Sequence, residues 1–523
     1  MVYLKNISIH FFNRCYCHSD LHSRVYPLVV QNNFNLNNLQ GNKMKNNKYS
    51  VLKYFLLIYS LLTYSQPIFS QVFDQYFIDK TMRVDYYHTG TKGAETISLD
   101  KVFEEGSWSG STINLNDVLN LGEYIVRIYD VGTNSMIYSL GYSTMFAEWQ
   151  TTDEALAGIY RTFNETVRLP FPKNKIQLTI ARRDKQMIFH EIFSTVIDPN
   201  DPTQVNQERK IEQFKVFPLM KNGDSHEKVD IVIVGDGYRR EDMDKFRKDA
   251  KHFNDVMFST SPFQERKKDF NVWTIEVVSQ DSGIDKPDKK IWKNTALGTM
   301  YNTFGSARYV LTEENRTLRD ICSAAPYDFI TILVNDNRYG GGGIYNLYTT
   351  TYTRGDAPGQ DWQMDYVYVH EFGHSFGGLG DEYYNSQVSY NDMYPKGVEP
   401  WEPNLTALVD KKNLKWKSMM EEETSLPTPW EKAQYDSIGR LRAKLDRLAP
   451  DYYEKRKPLY DAEQNILKTT KYAGKVGAFE GAGYSSEGIY RPSADCRMFS
   501  LSLVGFDPVC TAAINRVIDF YSK

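Results

Sequence analysis

The sequence predicts an α/β (α+β) domain preceded by an all-β sandwich. Three observations carry that expectation. Short β-rich runs separated by polar turns, with no helical periodicity between them, fill residues 72–205. From residue 206 to 523, apolar β-branched runs alternate with helical stretches, the pattern of an α/β layer. Inside that second part an H-E-x-x-H pattern stands on a predicted helix that glycines then end.

The start of the chain reads as a leader. Met44 opens "MKNNKYSVLKYFLLIYSLLTYSQPIFSQ", with Lys45 and Lys48, an apolar stretch from Tyr54 to Leu62, and then small polar residues. That order is a signal peptide over residues 44–71, cleaved near Ser70 or Gln71 into a secreted chain, periplasmic or extracellular. The apolar stretch is about half the ~20 residues that a membrane span needs, so no span is expected. Residues 1–43 precede this start and read as an extension from a start codon chosen too early.

In the β-rich part, "TISLDKVF", "GEYIVRIYDV", "SMIYSLGYSTMF", "NKIQLTIARR" and "QMIFHEIFSTVI" are the expected strands. No catalytic cluster stands among them, and His88 and His190 read as structural. Asp198 to Lys210, "DPNDPTQVNQERK", has the composition of a linker. Beyond it, "VDIVIVGDGYRREDMDKFRKDAKHFNDVMF" is a buried strand, a turn and a helix, and Asp269 to Ser279 is a second strand. Gly235-Asp236-Gly237 lacks the spacing and the lysine of a phosphate loop, which excludes a nucleotide site. Phe329 to Val334 is a buried strand, and Gly340 to Gly343 then predict a mobile turn before a strand-like Ile344 to Tyr352.

In "DWQMDYVYVHEFGHSFGGLGDEYY", His370 and His374 are one helical turn apart, so both face the same way and can grip one ion. Asp361 is a candidate cap, and Tyr366, Val369 and Phe372 recur at helical spacing. Glu371 lies one step round the helix, in reach of a water on that ion. Zinc lowers the pKa of such a water toward about 7, and a glutamate can then take its proton. The third ligand is narrowed by counting. Of nine histidines none follows His374, and the distant candidates are His190, His226 and His252. Asp381 and Glu382 stand just past Gly377, Gly378 and Gly380, and carboxylate oxygen is an ordinary zinc ligand. Asp381 is the first choice and Glu382 the second.

The run "HEFGHSFGGLGDEYY" resembles the bacterial immunoglobulin-A metallopeptidase family, with its H-E-x-x-H-x-x-G-x-x-x-D-E pattern. The resemblance continues in "VGAFEGAGY" and "GIYRPSADCRM", and "VDIVIVGDGY" is similar to the start of the family's peptidase domain. It implies a metzincin-like zinc endopeptidase over the second part of the chain and the family's N-terminal β domain before it. It does not carry an immunoglobulin substrate across. It also implies a methionine turn flooring the metal, for which Met498 is the candidate, and an extended substrate laid against an edge strand before the zinc helix. Tyr490 reads as a packed aromatic rather than a catalytic group. After the leader three cysteines remain. Cys496 and Cys510 can close a loop of ~15 residues, worth roughly 3 kcal/mol, leaving Cys322 free.

Residues 400–475 are charged and punctuated by proline, with one helical stretch near Trp430 to Leu448, and read as an insertion. The formal net charge is -4 and no basic run is interleaved with aromatics, which excludes nucleic acid as a partner. Together these observations predict a secreted zinc-dependent endopeptidase acting on protein or glycoprotein. The alternative is a non-catalytic adhesin on a peptidase fold, which usually loses the glutamate or a ligand; here His370, Glu371 and His374 are all present.

Overall fold

The computed structural model describes residues 70–207, 214–353, 361–384, 393–446 and 451–522. The expected leader and the extension before it lie outside these residues, apart from Ser70 and Gln71. A helix, α1 (Ser70–Tyr76), leads into strands β1 (Phe77–Thr91), β2 (Ala94–Glu104), β3 (Tyr124–Asp130) and β4 (Ser135–Tyr142). Two short helices follow, α2 (Met145–Gln150) and α3 (Asp153–Leu156). Strands β5 (Arg161–Pro172), β6 (Ile176–Arg183), β7 (Phe189–Ile197) and β8 (Val205–Asn206) complete this part. They form two four-stranded sheets, ordered β5-β1-β2-β8 and β4-β3-β6-β7. Val84, Val102, Val167 and Leu169 of the first sheet share one core with Val126, Ile128, Leu178 and Ile180 of the second.

Two long strands, β1 and β5, carry no signal that period-two reading recognises, because charge points inward. Arg83 is fully buried between Asp85 at 2.9 Å and Glu105 at 3.1 Å. His88 is buried between Glu165 and Glu95, each 2.9 Å away. Alternation of apolar and polar residues fails where ion pairs replace hydrocarbon inside. The expected absence of helices between strands is also corrected: α2 forms because Thr144 caps it through Ala147 N, and it buries Met145, Phe146 and Trp149.

The second part is built on a six-stranded sheet. Its strands are β9 (Lys215–Met220), β10 (Val229–Asp236), β11 (Phe270–Glu276), β12 (Phe329–Val334), β13 (Gly341–Ile344) and β14 (Tyr348–Tyr352). The order is β13-β14-β12-β10-β11-β9, with a parallel centre and an antiparallel strand at each edge. Because side chains alternate across a strand, Ile231 and Ile233 of β10 enter one core while Val232 and Val234 enter another. The first core packs under helices α4 (Met243–Met257), α6 (Asp361–Gly377) and α9 (Pro508–Tyr521). The opposite core takes α5 (Asn315–Cys322) and also Phe146 and Trp149 from the first part. Residues 67–523 accordingly form one compact unit.

The four glycines do not make the mobile turn expected of them. Gly341 to Gly343 are β13 itself, and the turn is Tyr345 to Leu347. A side chain at Gly343 would come within 2.1 Å of the Glu371 carbonyl oxygen, so glycine is what lets this strand lie against α6. Past residue 400, α7 (Lys432–Ala443) falls in the expected helical stretch, but a second helix, α8 (Tyr452–Thr469), runs through Pro458. Proline signals interruption, and here packing of Ile466 and Leu467 into the core overrides it. The hairpin β15 (Phe479–Ala482) and β16 (Ser485–Arg491) precedes α9. Among the described residues no helix is long and apolar enough to cross a membrane.

Candidate metal centre

Helix α6 ends in a glycine-dependent reversal. Gly378 has φ +61°, its N–H bonds to the His374 carbonyl at 3.1 Å, and Leu379 N bonds back to Gly373 O at 3.3 Å. That left-handed stop costs glycine nothing and turns the chain back along the helix it has just left. The return places two groups. Leu379 O accepts a hydrogen bond from His374 Nδ1 at 2.5 Å, and Asp381 arrives opposite both histidines.

Asp381 Oδ1 lies 3.0 Å from His370 Nε2 and 3.3 Å from His374 Nε2, and the two Nε2 atoms are 3.3 Å apart. A tetrahedral ion with bonds of about 2.0–2.1 Å has ligand-to-ligand edges of about 3.4 Å, so this triangle has the dimensions of a metal site. The far nitrogens fix the tautomers: His370 Nδ1 donates to Arg497 O at 3.2 Å, as His374 Nδ1 does to Leu379 O. Both Nε2 atoms are thereby turned inward, where they donate to Asp381 when protonated and would offer lone pairs to an ion. Asp381 Oδ1 is buried with no hydrogen-bond donor other than these imidazoles, an orphaned oxygen of the kind a cation satisfies.

The electrostatics agree. Burial would raise the Asp381 carboxyl, but the His374 charge and hydrogen bonds from both imidazoles hold it well below the usual carboxylate range. Burial would lower the His374 imidazole, and the Asp381 charge instead raises it to about 9. The pocket thus draws positive charge to the point where the three atoms meet. Burial pushes the Glu371 carboxyl up, against the pull of His370 and His374.

Of the two candidates for the third corner, geometry brings Asp381 to the histidines and takes Glu382 elsewhere. Glu382 Oε1 accepts from Asn404 Nδ2 at 2.9 Å and from Cys510 Sγ at 3.2 Å. The distant histidines are occupied far from the site: His190 with Asp184, His226 with Asp79, and His252 with Asp365. Met498 is fully buried, and its Sδ would touch a side chain placed on Gly373, so it packs against α6 at that glycine. Its neighbour Arg497 carries the carbonyl that orients His370, and Tyr366 Oη donates to the same oxygen at 2.6 Å. Tyr490 bonds to Glu480 at 3.4 Å and does not line the cleft. Cys496 and Cys510, the expected disulfide pair, come together with their Sγ atoms 3.8 Å apart and unbonded; Cys510 donates to Glu382, and Cys496 accepts from backbone N–H groups.

Three groups at the site escaped sequence reading. Tyr484 Oη donates to Asp381 Oδ2, from a hairpin turn where Tyr484 itself has φ +62°. Tyr383 Oη accepts from Arg308 Nη2 at 3.5 Å, and Arg308 is held protonated, against its burial, by Tyr383, Tyr339, Asp381 and Glu371. No spacing rule marks them. All three line a cleft of about 1530 Å³ above the histidines, walled also by Glu123 and Glu148 of the first part and by Tyr435, Asp436 and Arg440 of α7.

Among curated proteins none matches this chain. The sequence model of the family described as IgA Peptidase M64 matches residues 217–518, the part that holds the six-stranded sheet, α6 and the Met498 turn. The model described as Peptidase M64 N-terminus matches residues 72–194, which hold strands β1 to β6 and most of β7 of the two four-stranded sheets. With both parts matched in order and the histidine–carboxylate triangle inside the larger match, the chain belongs to the M64 family of metallopeptidases.

Proposed function

We propose that the protein is an exported, metzincin-like zinc endopeptidase that hydrolyses peptide bonds in extracellular proteins or glycoproteins. The convergence of His370, His374 and Asp381 on one point carries this reading. Two imidazole nitrogens and one carboxylate oxygen are a catalytic zinc donor set, which leaves a fourth position open. Zinc bound there lowers the pKa of a water toward about 7 and polarises the scissile carbonyl.

The protein's own groups do the rest. Glu371 follows His370 directly and lines the cleft, and its raised carboxyl suits a group that takes a proton and gives it back. It takes the proton of the attacking water and delivers it to the leaving amine nitrogen. Tyr484 and the backbone carbonyls behind the histidines hold the ligands in place. Strand β13 ends the sheet and lines the cleft; Gly341 is already bridged to Arg308 O and Val310 N, so an extended peptide can add through main-chain hydrogen bonds beyond it, at Gly343 and Ile344. That mode demands little of the substrate's sequence, and no single protein target is assigned.

Glu371→Gln keeps the shape and removes the base. It is expected to leave folding and zinc content unchanged and to lower hydrolysis by a factor on the order of 10²–10⁴. The check is cleavage of proteome-derived peptides by wild type and variant, with and without chelator. Wild-type rates from the variant would remove Glu371 from the mechanism. If neither protein cleaves while both hold one surface ligand, the protein is an adhesin.

A further inference from the structure

A second group of metal-ligating side chains lies behind Asp381, and the proposed peptide hydrolysis makes no use of it. Glu382, Cys496, Asp507 and Cys510 are all buried, and one ligand atom from each lies within 4.8 Å of the others. The two Sγ atoms are 3.8 Å apart, and Cys510 Sγ is 3.2 Å from Glu382 Oε1. A tetrahedral zinc with Zn–S bonds of about 2.3 Å has a sulfur–sulfur edge of about 3.8 Å, and a sulfur–oxygen edge of about 3.5 Å.

Independent observations point to a cation. Glu382 Oε2 and Asp507 Oδ2 are buried with no donor from any other residue among those described; burial and the neighbouring Asp507 push the Glu382 carboxyl up, so without an ion the two carboxyls share a proton. The other Asp507 oxygen is already committed to Val509 N and Cys510 N at the start of α9. Cys496 Sγ accepts from Met498 N at 3.5 Å and Asp507 N at 3.3 Å, while burial pushes both the Cys496 and the Cys510 thiol up, so it is a bound cation that would hold them as thiolates. Burial pulls the Arg491 guanidinium down, and the charges of Tyr384 and Glu382 act against that pull.

We propose that Glu382, Cys496, Asp507 and Cys510 form a second, structural site for a divalent ion of zinc-like softness. Two thiolates and two carboxylates fill four positions and leave none open, so the site is closed and does no chemistry. Binding releases the two thiol protons, and with them any proton shared by the carboxyls. Its ligands come from the loop that presents Asp381, from the turn that carries Met498, and from the first turn of α9. Such an ion ties together the three segments that form the back of the histidine site.

The test is the metal content of the full exported chain, purified after growth with zinc. Wild type is expected to hold two equivalents. The double variant His370→Ala/His374→Ala is expected to keep one, and adding Cys510→Ser should remove it. Cobalt loaded into the histidine-free variant should give a thiolate charge-transfer band that Glu382→Gln abolishes. That substitution keeps size and neighbours, so an unchanged circular dichroism spectrum separates ligand loss from misfolding. A single equivalent in wild type that vanishes with the histidines overturns the proposal. Thiols that resist alkylation would then show a disulfide, and thiols that react would show two carboxyls sharing a proton. None of these outcomes bears on the histidine site, which is counted separately.

Discussion

At the scale of single residues, the site rests on which carboxylate faces which neighbour. Asp381 and Glu382 are adjacent in the chain and point apart, Asp381 to the histidines and Glu382 to Asn404 and Cys510. Asp381→Ala is therefore expected to lose most of the metal held by His370 and His374, while Glu382→Gln keeps it; metal analysis of each variant checks this. Sequence counting reached Asp381 without fixing it, because both carboxylates follow the glycine stop and neither spacing is decisive. His88 offers a second residue-scale prediction. Burial would lower its imidazole, but Glu165 and Glu95 raise it from 6.5 to about 8. A raised histidine stabilises the fold fully below about pH 6.5, and that contribution disappears as pH rises through about 8. The difference amounts to about 2 kcal/mol. Urea unfolding should show His88→Gln less stable than wild type at pH 6, with the gap largely closed at pH 9.

At the scale of elements, the decisive contact is β13 against α6. Glycine is required there because a Cβ on Gly343 would stand 2.1 Å from a backbone oxygen of Glu371, which cannot move without moving the helix that carries His370 and His374. Gly343→Ala is expected to destabilise by about 1–3 kcal/mol through overpacking and to reduce peptide hydrolysis at least tenfold. Gly93→Ala, with open space around it, should change neither. Thermal unfolding and a peptide assay distinguish them. The strands with uniform β-branched runs, such as Phe329–Val334, were legible because both faces are buried in hydrocarbon. The glycine strand, β1 and β5 were not, since pairing and inward ion pairs rather than side-chain pattern hold them.

At the scale of the whole molecule, the two parts share a core. Phe146, Trp149 and Phe163 of the first part pack with Ile330, Ile332 and Leu318 of the second. Ser109 Oγ bonds to Tyr327 O at 2.6 Å, and Arg161 pairs with Glu313 at 2.7 Å. Residues 214–523 expressed alone are therefore expected to lack a cooperative transition, whereas residues 72–523 unfold in one step by calorimetry. Trp149→Ala should cost the full chain about 3–5 kcal/mol although it lies far in sequence from α6. The proposed export belongs to this scale too: N-terminal sequencing of secreted protein should begin near Gln71, and residues from before Lys45 would overturn that reading.

The sequence by itself determined the chemistry that local geometry can express. A helix forces residues four apart onto one face, so His370, Glu371 and His374 declared a metal-binding helix without any partner. Buried strands of the sheet and the glycine stop declared themselves for the same reason: each depends on a few neighbouring residues. Tertiary structure alone decided what depends on distant segments meeting. It brought Asp381 rather than Glu382 next to the histidines, set Arg497 O behind His370, brought Tyr484 and Arg308 to the cleft, and lodged part of the first domain in the core of the second. Such contacts are fixed by the path of the chain between them, and no short stretch of sequence carries that path.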